Sequence, residues 1–180
     1  MQKNIIVILS VYQNKAYISI GTNVGNWKNN FNQSFVELNK LGFINNFASI
    51  YLSKPFGYKN QNFFYNTAIE LITNIRPHEL IKKLQLIEKR LKKQKSIVNG
   101  PRRIDLDIIY YNKIILKHSS IIIPHPRAHL RDFVLYPICE MIPFYTHPII
   151  KRTTKELINQ LNENYIFKKI KKQKENVLIF

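Results

Sequence analysis

The sequence predicts an α+β fold in which helices pack on an antiparallel sheet as a sandwich. Two observations support this class. Apolar residues switch between the alternating spacing of strands and the three-to-four spacing of helices along the chain. In addition, no repeat or low-complexity linker divides the 180 residues, a length that suits one domain. We therefore expect a single domain over residues 16–180, preceded by residues 1–15 as an extension or an extra strand.

The first predicted elements are a strand, a helix and a pair of strands. Residues 16–20 form a short apolar strand that ends at Gly21. Residues 27–41 carry phenylalanine and leucine at helical spacing, which predicts a helix. Residues 43–52 have an extended character and residues 66–73 are rich in strand-forming residues, so these two segments are expected to pair as a long hairpin.

The second half of the chain starts with the clearest helix, predicted over residues 77–93. Proline stands at its first position, and leucine and isoleucine form one apolar stripe. A strand over residues 104–111 follows. Thr153 and Glu156 have the spacing of a capping box, which predicts the start of a last helix. The order β-α-β-β-α-β with a C-terminal helical addition is the ferredoxin-like layout, with the helices expected on one face of the sheet.

The composition narrows the class of protein without identifying a partner. The net charge of +17 favours polyanions such as nucleic acid or nucleotide phosphates, but the abundance of lysine, asparagine and isoleucine is also typical of AT-rich genomes. Cys139 is the single cysteine, which excludes an intramolecular disulfide and favours a reducing, cytoplasmic setting. No apolar run is long enough to span a bilayer, so no membrane segment is expected.

Two aspartates stand at strand spacing in the segment 100–111. Asp105 and Asp107 are expected to point to the same face of the strand, while Leu106 and Ile108 point to the core. Carboxylates this close repel each other unless a cation lies between them, and magnesium prefers one or two carboxylates together with phosphate oxygens. The alternative is a solvated polar face, but aspartate is unfavourable in strands. The sequence therefore favours a magnesium site at this pair.

A second cluster surrounds the turn Pro124-His125-Pro126. Because His125 lies between two prolines, its position is restricted. Together with Arg131 it can donate hydrogen bonds to phosphate oxygens, and arginine does so through two parallel bonds. The alternative is a surface loop with incidental basic residues.

A third cluster lies in the segment 53–66 and combines aromatic rings with an amide. Phe56 and Phe64 can hold a flat heterocycle, whose hydrogen-bonding edge Asn66 would contact. The alternative is that both rings are ordinary core aromatics.

Together the three clusters resemble the 6-hydroxymethyl-7,8-dihydropterin pyrophosphokinase family of folate synthesis. The matching strings are AYISIGTNVGN, SKPFGYKNQNFFYNTAIEL, GPRRIDLDIIYYN and IPHPRAHLRDFVLYPICEMIP, and they occur in the family's order. The resemblance implies a ferredoxin-like fold. It also implies transfer of the β,γ-pyrophosphoryl group of ATP to the hydroxymethyl oxygen of the pterin, which leaves AMP.

The resemblance further implies roles for individual residues. Asp105 and Asp107 would hold two magnesium ions, with ATP as the co-substrate. The residues implied in catalysis or ATP binding beside them are Arg102, His125, Arg131, Gln85, Glu88, Lys92 and Ile108. The residues implied in the pterin pocket are Ser53, Lys54, Phe56, Phe64, Asn66 and Phe133, with the pterin stacked between Phe56 and Phe133. The expected partners are ATP and hydroxymethyl dihydropterin, not nucleic acid or membrane, and we expect a monomer.

The chain departs from the family's pattern in the loop before Gly100. The family has an arginine-rich stretch and a tryptophan there, whereas this chain has lysines such as Lys92 and has Asn99 in place of the tryptophan. Lysine keeps the charge but lacks the planar fork of arginine, which predicts weaker nucleotide binding. Two other interpretations stay open: a basic ferredoxin-like module that binds nucleic acid, and an inactive homologue of the kinase.

Overall fold

The computed structural model describes residues 14–91 and 99–171. Its main sheet contains β1 (Asn14–Thr22), β2 (Phe43–Phe47), β3 (Ile50–Ser53), β4 (Phe64–Thr73), β5 (Asp105–Tyr111) and β8 (Ile166–Ile170), while β6 (Leu116–His118) and β7 (Ile121–Ile123) form a separate hairpin. The helices are α1 (Trp27–Asn39), α2 (Pro77–Arg90), α3 (Asp132–Met141) and α4 (Thr154–Ile158), with a 3-10 turn at Ala128–Leu130. Within these residues, no helix has the length and apolar character needed to cross a bilayer.

The main sheet is antiparallel, with the order β5-β1-β4-β3-β8. The long hairpin expected from the sequence is confirmed, but its first arm is two strands. β2 pairs with the C-terminal half of β4, and β3 pairs with its N-terminal end. Ala48, between β2 and β3, still donates its N–H to the carbonyl of Ala68 at 2.9 Å. The long strand β4 therefore lies at the centre of the sheet.

Alternation along β1 divides the apolar side chains between two layers. Ile18 packs against α1 and α2, in a core that contains Phe31. Tyr17 points the other way and packs with Val134 of α3. The two helices predicted within the β-α-β-β-α-β order, α1 and α2, thus share one face as expected, but α3, which the sequence did not predict, covers the other face. The sequence pattern conceals α3 because Pro137, inside it, cannot donate a helical hydrogen bond.

The ends of several elements follow local sequence signals. α2 begins at Pro77 as expected and ends at Arg90, before the predicted limit at residue 93. The capping box before α4 is confirmed, since Thr153 accepts a hydrogen bond from the Glu156 N–H and the Glu156 carboxylate accepts one from the Thr153 N–H. At the N-terminus, β1 already starts at Asn14, and residues 1–13 of the expected extension lie outside the described residues.

A buried histidine behind the sheet predicts a pH-dependent stability. The Nδ1 atom of His147 accepts the backbone N–H groups of Ile149 and Ile150 at 3.2 and 3.1 Å. Burial, with a smaller contribution from His129, lowers the pKa of His147 from 6.5 to about 4. At pH values between 6.5 and about 4, His147 therefore takes up a proton in the unfolded chain but not in the folded chain. The free energy of unfolding should fall as the pH falls through this window, by on the order of 2 kcal/mol.

Urea unfolding at several pH values between 7 and 4.5 measures this effect. A His147→Asn variant is the control, because its amide oxygen can still accept the backbone N–H groups but does not titrate. We expect the free energy of unfolding of the variant to fall less steeply with decreasing pH than that of the wild type. An equally steep loss in both proteins would contradict the assignment.

Candidate active site

The two aspartates lie where the register of the sheet brings three strands together. Asp107 of β5 pairs with Ser19 of β1, and Asp105 pairs with Gly21, which itself pairs with Asn66 of β4. The leucine between the aspartates is buried in the core on the opposite face. Both carboxylates therefore point to the face that α3 covers, as the spacing predicts.

Arg102 lies beside the aspartates and offsets part of their charge. Its Nη1 is 2.6 Å from Asp105 Oδ2, and its guanidinium carbon is 5.8 Å from the ring centre of Phe64. The backbone of Arg102 is fixed to the end of β1, because its N–H donates to Asn23 Oδ1 at 2.8 Å and its carbonyl accepts from Asn23 N–H at 3.0 Å. The guanidinium is therefore held where a phosphate group can reach it.

Glu88 lies behind β5, with 8% of its surface exposed. Its Oε1 accepts the backbone N–H of Leu106 at 2.9 Å. Because Leu106 separates Asp105 from Asp107, this bond fixes the segment that carries both aspartates to α2. The role on the nucleotide side that the resemblance implies for Glu88 stays a prediction.

Glu88→Ala is expected to reduce both stability and turnover. It leaves the Leu106 N–H buried without its acceptor, which costs about 1–3 kcal/mol of unfolding free energy. Glu88→Gln keeps an acceptor oxygen and should recover most of the loss. Urea unfolding and steady-state kinetics on both variants measure this, and wild-type stability in Glu88→Ala would exclude the assigned role of the contact.

A cleft in front of the aspartates encloses about 570 Å³ of space, including the open solvent at its mouth. All of the residues implied in the pterin pocket line it, namely Ser53, Lys54, Phe56, Phe64, Asn66 and Phe133. Arg102, Asp105, Asp107 and Arg131 line the same cleft, so the structure brings the aromatic and the charged clusters together. We call it the aromatic cleft.

The amide of Asn66 has a defined orientation in the aromatic cleft. Its Nδ2 donates to Ser53 Oγ at 3.0 Å and to the carbonyl of Tyr51 at 3.2 Å. Because a carbonyl can only accept, the amide nitrogen must face Tyr51. The Oδ1 atom is then the part of this buried side chain that can accept hydrogen bonds from a ligand.

Two phenylalanines and an arginine form the wall of the aromatic cleft near α3. The rings of Phe56 and Phe133 are 6.3 Å apart and tilted by 54°. The guanidinium carbon of Arg131 lies 4.9 Å from the centre of the Phe56 ring and 5.9 Å from that of Phe133. A flat ring between two parallel rings needs a separation of about 7 Å, twice the contact distance of carbon atoms. The two rings must therefore turn and separate slightly to hold a ligand between them.

A second cavity lies at the outer side of β5, and we call it the outer groove. The residues that line it are Ile81, Asp107, Ile108, Ser119, Ser120, Ile121, Ile122, His125 and Pro126. Burial, and then the charges of Arg131 and Arg127, lower the pKa of His125 from 6.5 to about 4, so its ring is neutral near pH 7. Its Nδ1 accepts the Arg127 N–H at 3.2 Å. The ring proton is therefore on Nε2, which can donate to an anionic oxygen.

The remaining residues implied in nucleotide binding have different positions. Ile108 borders the outer groove, although only 4% of its surface is exposed. Gln85 is exposed on α2, one turn before Glu88, and the described contacts do not bring it into either cavity. Lys92 lies outside the described residues.

The chemistry of the acidic groups fits magnesium better than a metal held wholly by protein ligands. Among residues 14–91 and 99–171, no group of three or more histidine, cysteine, aspartate or glutamate side chains could hold a metal. Asp105 and Asp107 supply two carboxylates on one face, which suits an ion that keeps waters and binds substrate phosphates.

Several residues that line the aromatic cleft have no site role assigned from the sequence. Ser19, Gly21, Asn99 and Val134 line it as well. The pairing of β1 with β5 places Ser19 and Gly21 beside the aspartates. Because the side chain of Ser19 is small and Gly21 has none, both leave room in front of the carboxylates. The period-two pattern of β1 places them on that face, but only the strand order puts them beside Asp105 and Asp107.

Known proteins resemble this chain in sequence. The family model described as 7,8-dihydro-6-hydroxymethylpterin-pyrophosphokinase (HPPK) matches residues 17–143. The 2-amino-4-hydroxy-6-hydroxymethyldihydropteridine pyrophosphokinase of Aquifex aeolicus is 32% identical over 78% of this chain and 88% of that protein. The folic acid synthesis protein of Dictyostelium discoideum is 40% identical over 80% of this chain, but the match spans only 22% of that longer protein. A second one, from Pneumocystis carinii, is 38% identical, and the match spans 19% of it.

A solved structure resembles the chain in fold. A crystal structure of a Plasmodium falciparum HPPK-DHPS protein has a TM-score of 0.66, with 18% identity over 86% of this chain and 46% of that chain. At this identity the likeness shows the fold alone, and it confirms the predicted ferredoxin-like sandwich. The family match over residues 17–143 includes the aspartates and the residues that line the aromatic cleft and the outer groove. The chain therefore belongs to the HPPK family.

Proposed function

We propose that this chain transfers the β,γ-pyrophosphoryl group of ATP to the hydroxymethyl oxygen of 6-hydroxymethyl-7,8-dihydropterin and releases AMP. Membership in the HPPK family supports this. The observation that carries the proposal is the position of Asp107, which borders both the aromatic cleft and the outer groove. Two substrates that react must meet at one point. The residues proposed to bind the polyphosphate lie in both of the cavities that Asp107 borders, Arg102 and Arg131 in the aromatic cleft and His125 in the outer groove.

The aromatic cleft suits a pterin. Asn66 Oδ1 would accept hydrogen bonds from the amide and amino edge of the heterocycle, since its Nδ2 is already bound to Ser53 and Tyr51. Phe56 and Phe133 would stack on the ring once they separate. This arrangement directs the hydroxymethyl group toward the aspartates at the floor of the cleft.

The basic side chains suit a polyphosphate. Arg102 and Arg131 would bind non-bridging oxygens through charged hydrogen bonds, and His125 would donate its Nε2–H. Among the described residues, the buried Nε of Arg131 has no hydrogen-bond partner, so it can donate to a ligand. Donors placed in advance around the transferred group stabilise the charge that develops as the bond to the leaving AMP breaks.

The transfer itself needs no covalent enzyme intermediate. The hydroxymethyl oxygen forms a bond to the β-phosphorus as the bond between that phosphorus and the oxygen of the α-phosphate breaks. The electron pair leaves with AMP. We assign the hydroxyl proton to the carboxylate of Asp107, which borders both cavities. Asp105 and Asp107 are the residues that would hold magnesium, which supplies neutralisation of the polyphosphate charge.

We also propose that the chain acts as a monomer in the cytoplasm. Support for a reducing compartment comes from the single cysteine, Cys139.

Incubation with ATP, magnesium and the hydroxymethyl dihydropterin tests the function. We expect AMP to form only when the pterin is present, in amounts equal to the pterin consumed. ADP as the product, or ATP loss that does not depend on the pterin, would reject the proposal.

A further inference from the structure

Tyr165, just before β8, contacts the aromatic cleft from the C-terminal part of the chain. Its ring lies 5.6 Å from that of Phe56 at 65° and 6.0 Å from that of Phe133 at 88°, so it meets both rings edge to face. Tyr165 lies beyond residues 17–143, where the family model matches. It is also absent from the motifs that predict the site. It therefore adds a third ring to the two that would hold a pterin.

The backbone of Tyr165 is fixed to both walls of the cleft. Its carbonyl accepts the N–H of Lys54 at 2.9 Å, on the segment that carries Phe56. Its N–H donates to Asp132 Oδ2 at 2.6 Å. Asp132 is 1% exposed and also accepts the N–H of Phe133 at 2.6 Å. One carboxylate thus joins Tyr165 to the residue that carries the second ring.

The side chain of Tyr165 is held from its far end as well. Its hydroxyl donates to the carboxylate of Glu163, which is exposed. The polar end of the residue is therefore bound outside the cleft, and its apolar edges face Phe56 and Phe133. An edge-to-face contact of this kind resists rotation of the partner ring.

We propose that Tyr165 is a positioning residue that sets the tilt and separation of Phe56 and Phe133 for a pterin ring. Without a third ring behind them, Phe56 and Phe133 would be free to close further on each other or to tilt beyond the present 54°. Tyr165 supports both at once, so the pair can open by a small amount and still face the ligand. This inference rests on the proposed function, because it assigns the substrate of the aromatic cleft.

Steady-state kinetics on Tyr165→Ala tests the proposal, with Tyr165→Phe as the matched control. Tyr165→Ala removes the ring and should raise KM for the pterin by roughly 10-fold, in line with the loss of one to two aromatic pairs. KM for ATP should change by less than about 2-fold. Tyr165 does not line the outer groove, and its described contacts are with Phe56, Phe133, Lys54, Asp132 and Glu163, not with the residues proposed to bind the polyphosphate. Tyr165→Phe keeps the ring edges and loses only the bond to Glu163, so both KM values should match those of the wild type.

Further outcomes separate this inference from the proposed function. If the wild-type protein forms no AMP, the proposed function fails. If the wild type is active and Tyr165→Ala keeps the wild-type KM for the pterin, or changes both KM values equally, the positioning role fails. Should Tyr165→Ala not fold, Tyr165→Leu replaces it, because leucine keeps apolar bulk but has no aromatic edge. The same selective rise in KM for the pterin is expected there, and an unchanged value rejects the role.

Discussion

Replacing either Asp105 or Asp107 by alanine is expected to lower kcat by about 10³-fold or more. Each change removes one of the two carboxylates that face the point where the cavities meet. Magnesium would then lose a ligand, and the polyphosphate would lose the neutralisation that the ion supplies. In Asp107→Ala the hydroxyl proton would also lose its assigned acceptor. Quenched assays of AMP formation with each variant at saturating substrates measure the effect.

The fold should tolerate both changes. The aspartates are only partly buried, and the pairing of β5 with β1 depends on backbone hydrogen bonds that alanine also makes. Glu79→Ala is the matched control, since this exposed carboxylate of α2 pairs only with Lys83 at 3.2 Å among the contacts described and lines neither cavity. Near-normal turnover in both aspartate variants, or an equal loss in Glu79→Ala, would contradict the metal assignment.

Arg131→Lys is expected to lower kcat/KM by roughly 10²-fold although it keeps the positive charge. The guanidinium of Arg131 lies beside both Phe56 and Phe133 and has a buried Nε without a partner in the described residues. A lysine ammonium cannot make two parallel hydrogen bonds to a phosphate, and it stacks less well on the rings. The measurement is kcat/KM for each substrate in turn.

Arg127→Lys is the control for Arg131→Lys. Arg127 is exposed four residues earlier, and its contact with His125 is made by its backbone N–H, which the substitution keeps. We expect wild-type kinetics from this variant. If Arg131→Lys also has wild-type kinetics, its guanidinium does not bind the transferred group.

The sequence was sufficient for features that depend on residues close together in the chain. Period-two spacing places Asp105 and Asp107 on one face, because successive side chains of a strand alternate. The start of α2 at Pro77 and the capping box at Thr153 follow from the unpaired N–H groups of a first helical turn. These signals depend on neighbouring residues alone, so they predict the local structure without knowledge of the tertiary structure.

Features that depend on strand order and burial could not be predicted from sequence patterns. The resemblance implies a nucleotide contact for Glu88, and only the fold shows that its buried side chain binds the backbone of Leu106 from α2. Tyr165 reaches the aromatic cleft only because β8 pairs with β3 at the edge of the sheet. α3 lacks a clear helical signal, since Pro137 interrupts it. For Glu88 and Tyr165 the deciding contact joins residues far apart in sequence.

The identity of the pterin product tests the central claim most directly. Mass spectrometry and phosphorus NMR of a reaction with ATP, magnesium and hydroxymethyl dihydropterin should detect one pterin diphosphate for each AMP. The product should be lost when Asp107 is replaced by alanine. A pterin monophosphate formed together with ADP, or AMP formed without a phosphorylated pterin, would contradict pyrophosphoryl transfer at the junction of the two cavities.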